Sequence, residues 1–446
     1  MNYFRIIITG IFILFLVLAI LIFSGLIPIG KSKGSNQGVK GNVVLWGTIP
    51  NENLSPIIEN FNADNEDLKV SYKEKKSESF DSELIEALAS GAGPDLILLP
   101  DNLINRYQDK IFLIPYESFS IRDFKDIFIQ QGELYLNENG ILALPFSVDP
   151  MVMYYNRDMF SSAGISKPPE NWEDFFEIVP LLTKRDQSTN ILTSAVSFGE
   201  FANITHAKDI ISMLLLQSGN PIIIKHPGTE GLSQILEVTL ADSSNPNEES
   251  PASITLDFYT EFSNPASNTE EGLYSWNKSL LPSQDAFISE KLAIYFGYAS
   301  ELFIIQERNP NLNFDVVMVP QAKNINTKIT FGRMNALAIA KTSPNINTSF
   351  IVANLLTKKD FIENLSKGLS LPPVRRDLLF VKPKNPYTSI FYDSALISRS
   401  WFDPSPKETS EIFEKMVDDI ISGRLSIKES VSKAHNGIEL IANNIK

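Results

Sequence analysis

Chemistry is most visible in this sequence at Asp149. It lies in "ALPFSVDPMVMYYN" (143–156), an apolar run with that acid and Pro150 at its middle and Tyr154 and Tyr155 behind them. Desolvating a lone carboxylate costs several kcal/mol. A strand that carries one therefore either caps a turn with it or turns it toward water in a cleft. Other reactive groups are scarce. The chain has no cysteine, so it offers no disulfide, thiolate metal site or cysteine nucleophile. Its three histidines, His206, His226 and His435, are too far apart for a metal-binding spacing. G-x-S-x-G, H-E-x-x-H, G-x-x-x-x-G-K-[ST] and G-x-G-x-x-G are all missing, which removes the usual nucleophile, zinc and nucleotide signatures. Carboxylates are plentiful, so a glycoside-processing enzyme stays as a remote alternative. The expectation is recognition without catalysis, with no metal and no cofactor.

Composition agrees with a globular chain. At 446 residues, 43% hydrophobic and 21% charged, it has room for two or three domains. A formal charge of -14 argues against nucleic acid as a partner, because displacing counterions needs basic patches. The run Ile6–Gly30 holds no charge. As a helix its ~25 residues would span roughly 37 Å, enough to cross a hydrocarbon core. Residues 1–30 are thus expected to be an uncleaved transmembrane signal-anchor and 31–41 a Gly/Ser/Lys tether.

Elements that would position a site follow the tether. "VVLWG" reads as a strand, "SPIIENFNADN" as a helix capped by Ser55 with Pro56 in its first turn, and "LKVSYKEKK" as a strand. "SFDSELIEALASG" reads as a helix stopped by Gly91, and "PDLILLP" as a third, buried strand. This β-α-β-α-β order builds a parallel sheet, whose ligands sit beyond the carboxyl ends of the strands. That singles out the loops around Trp46 and Asn102. Further on, strands "LAIYFGY", "NFDVVMVPQ" and "ITFGRMNALAIAK" alternate with helices, and 231–253 reads as a polar surface excursion.

These segments resemble a known family, the extracellular solute-binding proteins of ABC transporters, in particular the group-1 sugar binders that include the maltodextrin-binding type. The markers are "VVLWGT", "IIENFN", "ELIEALASGAGPDLILLP", "ALPFSVDPMVMYYNRDMFSSAGISKPPENWEDF", "DAFISEKLAIYFGYASEL", "FDVVMVPQ" and "LPPVRRDLL", in the family's order. The resemblance implies an α/β, type II periplasmic-binding-protein-like fold of two hinged lobes around a ligand cleft. It places one lobe at 42–148 plus 314–369 and the other at 149–313 plus 370–446. Residues 143–156 match the segment where a strand passes between lobes, so Asp149 would face a wet cleft.

A sugar presents hydroxyls at its edge and C–H groups on its faces, so its site needs planar polar groups and aromatic rings. By position in the family the candidates are Trp46, Thr48, Asn102, Asp149, Asn203, Trp276, Tyr298, Ser300, Arg333 and Trp401. The acid–arginine pair common after the third strand reads Asn102–Leu103 here, which points away from a maltodextrin-like ligand. Implied partners are a small solute, carbohydrate first, and ABC permease subunits, with the chain acting as a monomer outside the cytoplasm. A polyamine, oxyanion or metal binder on the same plan, or a sensory subunit that presents its ligand to a receptor, are the alternatives.

Overall fold

The computed structural model describes residues 40–227, 234–241, 249–267, 272–323 and 327–444. The expected anchor and nearly all of the tether lie outside them. Among the described residues no helix is long and apolar enough to cross a membrane.

The strands, in chain order, are β1 Gly41–Gly47, β2 Leu68–Glu74, β3 Leu96–Pro100, β4 Leu136–Asn137, β5 Gly140–Ile141, β6 Ala143–Asn156 and β7 Lys184–Arg185. They continue with β8 Ile191–Val196, β9 Ile223–Pro227, β10 Gln234–Val238, β11 Leu292–Tyr298, β12 Phe314–Val317, β13 Thr330–Ile339 and β14 Ser398–Arg399. The main sheet runs β2-β1-β3-β13-β6-β11-β8-β7, with β12 added to β6 and β14 to β13. β1 is parallel to both β2 and β3, as the β-α-β-α-β order requires. β13 is antiparallel to β3 and to β6, so the sheet is mixed.

Helix α1 (Asn51–Asp64) starts one turn before the expected Ser55 cap and takes Pro56 inside it. At this sixth helical position the proline gives up the N–H that would otherwise bond Glu52 O, so the helix forgoes one intrahelical bond. Helix α2 (Ser77–Ser90) buries Phe80, Leu84 and Leu88 and stops at Gly91, whose φ of 72° is the left-handed conformation that glycine adopts at least cost.

β6 organises the molecule. From Ala143 to Pro150 it pairs with β13. From Met151 to Asn156 its partners become β11 and β12. The exchange falls at the Pro150–Met151 step, next to a proline that offers no N–H to the ladder. Each side of this step has its own core. Strands β1 and β3 bury Val43, Leu45 and Leu96–Leu99 on the first side. Past it, Met151–Tyr154 join a cluster that includes Trp172, Phe198, Tyr259, Trp276 and Phe296. Two boundaries differ from expectation. β12 (314–317) pairs with the second part of β6, so the chain returns to the first half only after it. Residues 374–376 stay with the first half, since Ile129 donates to Val374 O and Arg376 to the carbonyls of Lys125 and Phe128.

The excursion at 231–253 is only partly polar surface. β10 pairs antiparallel with β9 in a separate ribbon, Val238 and Leu240 are buried, and 242–248 lie outside the described residues.

Candidate functional site

A cleft of about 1700 Å³ is lined from both halves of the sheet. Thr48 follows β1, and Asp101, Asn102 and Asn105 follow β3. On the other side stand Phe201, His206, Lys208, Asp209, Trp401 and Asp403. Phe331 and Arg333 come from the end of β13 beside the β6 exchange, with Arg333 opposite Asp149 in register.

Arg333 anchors the polar network of this cleft. Its guanidinium donates to Asp209 Oδ2 at 2.6 Å, lies 3.2 Å from His206 Nδ1 and covers the Tyr298 ring at 4.1 Å. The Tyr298 hydroxyl donates to the same Asp209 oxygen at 2.7 Å. Asp209 occupies the first turn of the helix Ala207–Gln217, where a carboxylate is favoured by the unpaired N–H groups. His206 enters that helix with φ 63° and sets Nε2 against Glu301 Oε1 at 2.6 Å. Glu301 also accepts from the Tyr295 hydroxyl, Gln284 Nε2 and the Tyr298 N–H. Gly297 makes room for this cluster: a Cβ there would fall 2.5 Å from the Tyr295 ring and 3.0 Å from Glu301 Oε2.

Electrostatics split the acids in two. Burial pulls Asp209 and Glu301 upward, but Arg333, Tyr298 and His206 for the first, and His206 and Tyr295 for the second, hold both below the usual range. Asp101 and Asp149 go the other way. Burial pushes each up to about 6, against hydrogen bonds from Gln131 to Asp101 and from Ser300 to Asp149.

The ten candidates divide by where their side chains go. Thr48, Asn102, Arg333 and Trp401 line the cleft. Asp149, Tyr298 and Ser300 form a layer against it: Asp149 Oδ1 accepts the Ser300 N–H at 3.0 Å at the start of the helix Glu301–Arg308, so the acid caps a helix distant in sequence. Trp46, Asn203 and Trp276 are not part of the lining. Trp46 is buried, with Lys75 Nζ 3.9 Å over its ring and its Nε1 without a hydrogen-bond partner. Asn203 turns inward, where its amide donates to the carbonyls of Asn277 and Leu280 and accepts from Trp276 Nε1. Trp276 is fully buried.

Sequence reading passed over His206, Asp209 and Glu301. The signal lay in "NITHAKD", the same loop that supplied Asn203. A lone histidine followed three residues later by an acid at a helix start carries no metal or catalytic spacing, so only the fold gives the pair its partners. Among the described residues no group of three His, Cys, Asp or Glu side chains is placed to hold a metal ion.

Comparison with known proteins gives a consistent result. The model of the family described as bacterial extracellular solute-binding protein matches residues 48–360. A binding protein of Brucella abortus (strain 2308) is 20% identical over 322 residues, 71% of either chain. Among solved structures, a cyclo/maltodextrin-binding protein complexed with maltotetraose matches with a TM-score of 0.70 at 14% identity, over 92% of this chain and 100% of its own. A Thermotoga lettingae ABC transporter solute-binding protein bound with alpha-D-tagatose matches with a TM-score of 0.63 at 19% identity, over 90% and 100%. These likenesses show the two-lobed α/β binding-protein fold.

Proposed function

This chain belongs to the bacterial extracellular solute-binding protein family, and we propose that it captures a sugar or oligosaccharide between its lobes by hinge closure and delivers it to an ABC permease. The observation that carries this reading is one cleft lined by the planar polar groups of Asp101, Asn102, Asp209 and Arg333, with the Phe201 ring beside them. That is the combination a polyhydroxylated ring requires at its edge and on its face. The structures complexed with maltotetraose and with alpha-D-tagatose support a carbohydrate.

In this reading Thr48, Asn102 and Arg333 bond ligand hydroxyls from one lobe, and Asp209 and His206 do so from the other. Trp401 and Phe201 close the apolar part of the wall. Asp149, Tyr298 and Ser300 hold Arg333 and its surroundings in place, and Trp46, Asn203 and Trp276 serve packing. The lobes are about 41–149 plus 330–379 and 150–323 plus 380–444, joined where β6 crosses. Residues 1–30 form a single membrane anchor and 31–41 a tether, leaving a monomeric two-lobed body outside the cytoplasm.

A thermal-shift screen of the full-length protein in detergent against mono-, di- and oligosaccharides tests the reading. A true ligand at about 100 times its Kd adds roughly 2.7 kcal/mol to the folded state. No response to any carbohydrate, with a response to a polyamine or an oxyanion, would overturn it.

A further inference from the structure

Lys225 lies on β9, in the β9–β10 ribbon that is separate from the main sheet. Opposite it on β10 is Leu236, which lines the cleft. The ribbon packs on the second-half helix Ile427–Asn443. From there Lys225 reaches into the other half. Its Nζ donates to the carbonyl oxygens of Leu134 at 3.2 Å and Leu136 at 3.4 Å, and stands 4.6 Å from the centre of the Phe402 ring. The acceptors are firmly first-half groups, because the Tyr135 hydroxyl between them donates to Leu99 O and Met334 O.

Lys225 lacks a counter-charge, unlike most of the cations that line the cleft. Arg106, Lys110, Lys208 and Arg333 each meet a carboxylate, those of Asp81, Asp109, Asp403 and Asp209. Among the described residues Lys225 forms no such pair, only the two peptide oxygens and the ring. Neutral acceptors replace part of the water an ammonium loses, and the remainder is an uncompensated cost. Burial accordingly pushes its pKa down to about 8. Parting the ribbon from 134–136 would return the ammonium to water and remove that cost.

We infer that Lys225 is a positioning residue for the cleft: its largely covered, unpaired ammonium works against the joined arrangement and biases the two halves toward opening. Ligand binding then has to overcome this bias, so Lys225 sets how open the unliganded protein stands. The inference rests on the hinged-lobe reading above but not on the identity of the ligand.

The chain has no cysteine, so spin labels can be placed cleanly at Ser90→Cys in the first half and Lys428→Cys in the second. Pulsed electron–electron resonance on the ligand-free, full-length protein reads the distance between them, and the distance given by this structure marks the joined population. Lys225→Met keeps the chain length and removes the charge. It should raise the joined-to-opened ratio about three- to tenfold. Lys225→Gln, also neutral, should raise it too and stands in should the first variant fail to fold. An unchanged or lower ratio in the folded variants, or one fixed distance in the parent protein, overturns the inference. A lowered unfolding midpoint without a raised ratio marks a structural role and overturns it equally. Because no ligand is added, silence in the carbohydrate screen leaves this result intact, and a flat ratio here leaves the ligand reading intact.

Discussion

On the second-half side of the cleft, Asp209 is held by the Tyr298 hydroxyl and by the Arg333 guanidinium reaching across from β13, and Glu301 by His206, Tyr295 and Gln284. On the first-half side, Asn102 is exposed and Thr48 half-buried, and among the described residues neither side chain has a hydrogen-bond partner. Behind them the cores differ as well. The first half stacks the aliphatic strand "LILLP" against β1 and adds smaller ring groups such as Phe119, Phe124 and Phe128, whereas the second builds its centre from rings, with Phe198 stacked on Phe296 at 5.1 Å and Trp172 5.6 Å from Phe296. Aromatic pairs of this kind add about 0.5–1.5 kcal/mol beyond burial. The second half therefore presents charged groups whose geometry is set before a ligand arrives, with Arg333 of the first half joined to them. Thr48 and Asn102 of the first half are neutral groups free to adapt to whichever hydroxyls come within reach.

The largest break in this contrast is expected at Trp276. Trp276→Ala empties a fully buried site in the ring-packed core and frees Asn203, which should cost about 3–5 kcal/mol in urea unfolding. Sugar affinity, measured calorimetrically where the variant is folded, should stay within a few-fold. Lost affinity at retained stability would return Trp276 to the site.

Next comes a pair of variants, one inside the fixed polar network and one outside it. Arg333→Ala leaves Asp209 without its guanidinium, but Arg333 is half-exposed, so the stability loss should be only about 1–2 kcal/mol. Affinity for whichever sugar stabilises the parent protein should fall on the order of 30-fold. Asn102→Ala should change stability by less than about 0.5 kcal/mol and affinity by a few-fold. An Asn102 variant less stable than the Arg333 variant would contradict the division into a fixed network and adaptable groups.

The smallest effect is in pH. Asp101, pushed up to about 6 by burial, contributes stability that is complete below about pH 4 and is lost as pH rises through 6. Asp101→Asn should therefore unfold at higher urea than the parent at pH 8, by on the order of 1–2 kcal/mol, with the gap closing by pH 4. Asp209 and Glu301, held below the usual range, act with the opposite sign: their contribution is present at neutral pH and is lost as pH falls. A gap that widens toward pH 4 would place Asp101 in the same class as these two.

Much of the fold was legible because strand and helix periods are local. β1 to β3 and their helices follow from hydrophobic spacing and the glycine stop, and the crossing strand 143–156 matches β6 at both ends. Segment boundaries between the halves were less so. β12 changes sides because its ladder partner is Tyr155 rather than a first-half strand, and nothing inside "FDVV" encodes a partner. The site was legible by loop and not by atom. Asn203 and Asp209 share one short segment, yet the amide turns inward to Asn277 O and Leu280 O while the carboxylate, in the helix that follows, lines the cleft. Their directions depend on which distant groups lack partners.

By itself, the sequence determined the kinds of element, their order, the lack of cysteine chemistry and the one strand that carries an acid through its middle. Those properties follow from residue type and short-range sterics, which travel with the chain. Only the tertiary structure decided that Asp149 caps a helix start at Ser300, that Arg333 meets Asp209, and that Lys225 is half-buried without a carboxylate. Each of these joins residues remote in sequence, and the energy of a charge is fixed by what surrounds it in space.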